Sequence, residues 1–150
     1  MGVQTFANIG IFIGSLAAAI SIVVGVVVFR RQMNAQVFLE YTKRYEEIMS
    51  HLSQAAREAR LDLDGDPPPT SPELSLAVLR YLNLCSEEFY LCRRRYLSTK
   101  IWKIWEAELR RTLRSPLFRR EWNKLHREFD SYPEFHDYVE NTLREDARAG

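Results

Sequence analysis

Hydrophobic and polar positions change rhythm at residue 30. From Ile9 to Phe29 the chain reads IGIFIGSLAAAISIVVGVVVF with no charged residue, and Arg30 and Arg31 follow at once. At about 1.5 Å of helical rise per residue, a run of this length covers the roughly 30 Å hydrocarbon core of a bilayer. The pattern predicts one transmembrane helix at 9–29, with residues 1–8 as a short N-terminal segment before it.

Beyond the arginines the period becomes that of an amphipathic helix. Phe38, Tyr41, Tyr45, Ile48, Leu52, Ala55 and Ala59 recur at steps of three and four, which puts them on one stripe of a juxtamembrane helix within 30–61. The same stripe serves either packing on the chain's own bundle or a parallel coiled coil; the two tyrosines in it favour the bundle. The stretch 62–71, with Asp62, Gly65 and Pro67-Pro68-Pro69, predicts a proline-rich loop. Thr70 or Ser71 as cap, Pro72 in the first turn and Glu73 then announce a helix, whose apolar face is Leu74, Val78, Tyr81, Cys85, Phe89 and Cys92. Ser98 predicts a cap for a helix over 99–114, and Ser115-Pro116 one for a helix through Phe129. Ser131 with Pro133 and Glu134 predicts a last helix, inside a helical remainder at 72–144, and residues 145–150 a frayed tail. The expected fold is all-α: one N-terminal transmembrane helix and a small cytoplasmic bundle of about five helices.

Charge sets the expected orientation. Residues 1–29 hold no Lys, Arg, Asp or Glu, so the net charge of +1 lies wholly after the span. Arg30 and Arg31 directly after it predict an outward N-terminus and a cytoplasmic C-terminal domain. A cleaved signal peptide is the competing reading. The leading MGVQTFAN lacks a basic region, and apolar residues run on ten positions beyond Ala19, which favours a retained signal anchor. Within the span, Gly10, Gly14, Ala18, Ser21 and Gly25 form a stripe of small residues, a face on which two spans could pack closely; glycine and alanine are also simply common in such helices.

Charge is segregated further along. Residues 93–127 hold twelve basic and three acidic side chains, whereas 30–92 and 128–150 carry balances of −3 and −5. The basic section offers Arg93, Arg94, Arg95, Lys100, Lys103, Arg110, Arg111, Arg114, Arg119 and Arg120 as a surface. Neutralisation by the acidic segments is the first expectation, contact with an anionic inner leaflet the second, and nucleic acid a distant third, because the overall charge is near zero.

Motifs with chemistry are not found. His51, His126 and His136 sit on different predicted helices without metal spacing, and no glycine-rich phosphate loop or GxSxG occurs. Asp62, Asp64 and Asp66 open like a calcium loop, but the prolines replace its later ligands. Cys85 and Cys92 lie two turns apart, too far to join within one helix, and read as reduced apolar residues. Glu87 and Glu88 lie within an apolar helix, with Arg80 or the Arg93–Arg95 run as expected ion-pair partners. No cofactor, metal or catalytic residue is expected.

Three segments, NAQVFLEYTKRYEEIM (34–49), YLNLCSEEFYLCRRRYLSTKIWKIWE (81–106) and SPLFRREW (115–122), give the chain a likeness: it resembles a family of small bacterial membrane-anchored proteins of unknown function. The resemblance implies membrane attachment and a helical fold, and brings no activity. The expected role is therefore a non-enzymatic, single-pass protein of the bacterial inner membrane whose cytoplasmic domain binds itself or another protein. A pore-forming or toxin-like effector, and a ligand-binding or enzymatic bundle, are the alternatives.

Overall fold

The structure is a computed structural model that describes residues 2–149, with side chains described for 12–148. It contains six α-helices and one 3-10 turn, with no strand among the described residues. The all-α expectation holds. The helices are α1 (Gly2–Ser50), α2 (Gln54–Ala59), α3 (Pro72–Arg93), α4 (Thr99–Arg114), α5 (Pro116–Leu125) and α6 (Pro133–Ala149), with the 3-10 turn at His126–Phe129. The chain divides into two units between Leu39 and Glu40.

The first unit is the N-terminal part of α1. Every described side chain from Phe12 to Met33 is exposed, including Phe12, Leu16, Ile20, Val23 and Phe29. This helix is long and apolar enough to cross a membrane. An uncovered apolar surface of that extent is unfavourable in water, at about 25 cal/mol per Å².

The second unit begins with the last turns of α1 and is built around α3. Leu74, Ala77, Val78, Tyr81, Leu82, Leu84, Cys85 and Phe89 of α3 are buried. Ile48 from α1, Leu109 and Leu113 from α4, Leu117, Phe118 and Trp122 from α5, and Phe135 and Val139 from α6 belong to the same core. Aromatic rings fill its far half. Phe89 lies within 5.4–5.8 Å of Tyr90, Trp102, Phe135 and Tyr138, mostly edge to face, pairings worth about 0.5–1.5 kcal/mol each beyond their burial.

Serines punctuate this unit. The hydroxyls of Ser53, Ser71, Ser98 and Ser115 accept from the backbone N–H of Ala56, Leu74, Ile101 and Phe118, each satisfying an N–H that the first turn leaves without a partner. Three expected boundaries change. The helix placed at 30–61 is interrupted: α1 ends at Ser50, Ser53 caps a new short helix, and Leu52 drops into the core between them. Tyr132, not Ser131, opens α6, its carbonyl accepting from the N–H of Phe135 and His136. The tail expected to fray at 145–150 is helical to Ala149, because Glu145 and Asp146 bind Arg110 and Arg114 of α4.

Candidate functional site

The carboxylates singled out from the sequence lie in the second unit, in a polar seam between the end of α1 and α3. Side chains one residue apart on a helix point about 100° apart, so Glu87 and Glu88 meet different surroundings. Glu87 turns toward α1, where Arg44 grips it with two parallel bonds, Nη1 to Oε2 at 2.6 Å and Nη2 to Oε1 at 3.1 Å. The Tyr41 hydroxyl donates to the same carboxylate at 3.1 Å. Glu87 therefore pairs with Arg44, not with Arg80 or the Arg93–Arg95 run. The Arg44 fork, first among the causes, holds the Glu87 carboxyl below its ordinary range against partial burial.

Glu88 turns inward and is only 7% exposed. Among the described residues it has no hydrogen bond or ion pair. Burial pushes its carboxyl up to about 8; Arg44 draws it down and Glu87 adds to the rise. At neutral pH this group is mostly protonated, since a buried neutral acid avoids the desolvation of a carboxylate. Around it, burial and the charge of Glu87 push the Tyr41 phenol up to about 12, and burial pushes the Cys85 thiol well up. Both cysteines are free, Cys85 buried and Cys92 half-buried, which makes Cys85 an inert apolar side chain. On its outer side the seam opens as a groove of about 380 Å³ lined by Arg44, Glu47, His51, Arg80, Asn83 and Glu87.

Two further polar clusters escaped the sequence reading. Glu121 is fully buried, and its carboxylate accepts from Ser75 at 2.7 Å, Arg120 at 3.0 Å and Lys124 at 3.1 Å. Burial alone would raise its pKa, but those three donors outweigh it and hold the group below its ordinary range. Arg120 also donates to the Pro68 carbonyl at 2.8 Å, so the proline-rich loop is tied to α5 through this node. The second cluster brings together His126 and His136, their ring centroids 6.1 Å apart, in an open groove of about 530 Å³ with Asp137, Glu140, Asn141 and Arg144. Glu140 is engaged there, accepting from Trp122 Nε1 at 2.8 Å. Among the described residues no three His, Cys, Asp or Glu side chains converge as metal ligands. Asp62, of the triad in the proline-rich loop, caps the N–H of Asp64 and Gly65 instead, as an Asx turn does.

The basic section divides into two groups. Arg93 pairs with Glu134, Arg110 with Glu145 and Glu106, Arg114 with Asp146, and Arg120 with Glu121, so the acidic α6 neutralises much of α4. Arg119 is half-buried with its Nε enclosed and unbonded. Arg94, Arg95, Lys100, Lys103 and Arg111 are exposed and make no ion pair among the described residues. In the first unit, Gly14, Ala18, Ser21 and Gly25 fall within one stripe of α1. A methyl added at Gly14 or Gly25 would meet nothing within 4 Å, and the Ser21 hydroxyl is satisfied by the Ala17 carbonyl at 2.9 Å. Gly10 lies outside the residues whose surroundings are described. Arg30 and Arg31 are exposed directly after the apolar run.

Compared with known protein families, curated proteins and solved structures, the chain matches none.

Proposed function

We propose that the chain is a non-enzymatic, single-pass protein of the bacterial inner membrane that holds a helical interaction domain at the cytoplasmic face. The observation that carries this reading is the charge-free stretch of α1, exposed at every described side chain from Phe12 to Phe29 and followed at once by Arg30 and Arg31. Among the described residues none covers that surface, and lipid is the solvent that suits it. The two arginines, with no charge before the span, favour an outward N-terminus and an inward bundle, the arrangement of a retained signal anchor. The resemblance to small bacterial membrane-anchored proteins supports the same picture. The domain then acts by being local: a partner that binds it is concentrated at the membrane, and a small-residue face at Gly14, Ala18, Ser21 and Gly25 allows two copies to meet.

Crosslinking in native membranes, followed by affinity purification and mass spectrometry, tests the role. A reproducible second protein, or crosslinked multiples of the chain, is expected. Recovery of single, uncrosslinked chains in repeated trials contradicts it. Leakage of a small dye from vesicles holding the protein would favour a pore former instead.

One observation favours a second reading, a ligand-binding bundle. Glu88 is a buried acid without a partner among the described residues, next in sequence to Glu87, which lines a polar groove. Thermal shifts of the full chain in detergent against a metabolite panel test it, and a shift lost in Glu88→Gln is the result it requires.

A further inference from the structure

We propose that the turn between α3 and α4 docks the bundle onto the anionic lipid headgroups of the bilayer that holds α1. The inference rests on the membrane reading above and adds the surface that touches lipid. Arg94, Arg95, Lys100 and Lys103 are exposed on this turn and the first helical turns after it, and none is ion-paired among the described residues. Neighbouring arginines are neutralised by the acids of α6, Arg93 by Glu134, Arg110 by Glu145 and Arg114 by Asp146. These four form the densest cluster of exposed cations without an ion pair among the described residues, whereas Arg57, Arg80, Arg111 and Arg127 stand singly elsewhere along the chain. Tyr96 and Ile104, 67% and 61% exposed, sit among those cations, and a tyrosine ring suits the headgroup level of a bilayer.

Backbone geometry projects the patch outward. The N–H of Tyr96 bonds the Leu91 carbonyl at 2.9 Å and that of Arg95 the Cys92 carbonyl at 2.9 Å, which is a Schellman ending of α3. Its left-handed position, usually glycine, is filled by Arg95 with φ 61°. A cation thus occupies the tip of the turn where a residue without a side chain would be less strained.

Position within the unit points the same way. Tyr41, the unit's second residue, lines one apolar groove together with Tyr90, Leu91, Arg94 and Tyr96 and stacks on Trp105 at 5.5 Å. The basic turn therefore lies at the end where the chain enters the bundle. The chain from Phe29 to Tyr41 can reach at most about 40 Å by any path, a tether short enough to let this turn meet the lipid surface. Nucleic acid would be attracted by the same charges, but the tether and the exposed Tyr96 and Ile104 favour lipid.

The test uses the full chain in nanodiscs of neutral phosphatidylcholine and in discs with about one-third phosphatidylserine, an anionic surface of the kind that attracts such cations. Amine acylation is followed by mass spectrometry at Lys100, Lys103 and Lys124. Lys124 is bound to Thr70 and Glu121, away from the turn, and serves as the internal reference. Labelling of Lys100 and Lys103 is expected to slow about fivefold in the anionic discs and to recover in about 1 M salt, with Lys124 unchanged. Equal rates in the two lipids overturn the proposal, and so does a parallel slowing at Lys124. Protection by a single-stranded oligonucleotide in neutral discs, with no effect of phosphatidylserine, would assign the patch to nucleic acid and also overturn it. A chain retained by neither disc overturns the membrane reading itself, a result distinct from retention without lipid dependence.

Discussion

Replacing Glu88 with glutamine should remove a pH dependence that the wild-type bundle carries. The carboxyl has an ordinary value of 4.5 and is raised to about 8 by burial. Between those values the folded protein keeps a proton that the unfolded chain has lost, so the slope of unfolding free energy with pH is negative and stability falls as pH rises. Below about 4.5 both states are protonated and nothing is lost; above about 8 the loss is complete. At 1.36 kcal/mol per unit the full shift corresponds to about 5 kcal/mol, and local relaxation and water entry reduce this to about 3–5 kcal/mol. Glutamine has nearly the same shape and no proton to lose. The groups facing Glu88 that bear charge or titrate are Tyr41 and Arg44 from α1 and Cys85 and Glu87 from α3, and they are common to both proteins. Thermal or urea unfolding of the two full-length proteins in detergent, followed by circular dichroism from pH 5 to pH 9, is the assay. The pair should agree within about 1 kcal/mol at pH 5, and Glu88→Gln should be more stable by about 3–5 kcal/mol at pH 9. A difference that stays constant with pH, or a wild type that gains on the variant as pH rises, would refute the reasoning.

Other outcomes follow from separate contacts. Glu87 has the opposite sign: its carboxyl is held down by Arg44 and Tyr41, so what it contributes is lost as pH falls below the ordinary carboxylate range, and Arg44→Ala should flatten that acid limb when the unfolding assay is extended below the ordinary carboxylate range. Glu121→Gln should cost about 3 kcal/mol, because Arg120 and Lys124 lose their counter-charge at a buried site, and should speed hydrogen exchange at 67–75; unaltered stability would count against that node. Arg95→Gly should raise stability by about 1 kcal/mol by relieving the left-handed position, measured as a higher midpoint of unfolding. Gly14→Leu should weaken self-association of the span in a bilayer, read by energy transfer between labelled copies; unchanged assembly would remove the small-residue face as its cause.

The periodicity of the chain carried the helices well because each buries one stripe, and a stripe is visible at steps of three and four. Pro72 and Pro116 with Ser71, Ser98 and Ser115 marked helix starts because caps act within one turn. The break at Ser53 was hidden, since the stripe read from the sequence runs across it through Leu52 and Ala55; the restart shifts the phase, so Ala56 is buried and Ala55 exposed, and only the serine hydroxyl tells where the helix restarts. Partners far apart in sequence were not legible. Arg44 reaches Glu87 across 43 positions, and Ser75 reaches Glu121 across 46. Glu121 stands in a run of charged residues, RREWNK, so only the packing of α5 against α3 reveals it as interior. His126 and His136 were placed on different helices, and the short connection brings their rings to 6.1 Å, tilted by 50°. The charge segregation was visible, but which cations are neutralised depends on α6 lying beside α4.

On the proposed function, α1 spans a membrane with the bundle on its cytoplasmic side. The direct measurement is alkaline carbonate extraction of cells expressing the chain, combined with protease treatment of intact spheroplasts and detection of a C-terminal tag. The protein should stay in the membrane pellet, and the tag should be cut only after the cells are opened. Release by carbonate, or loss of the tag from intact spheroplasts, would contradict it.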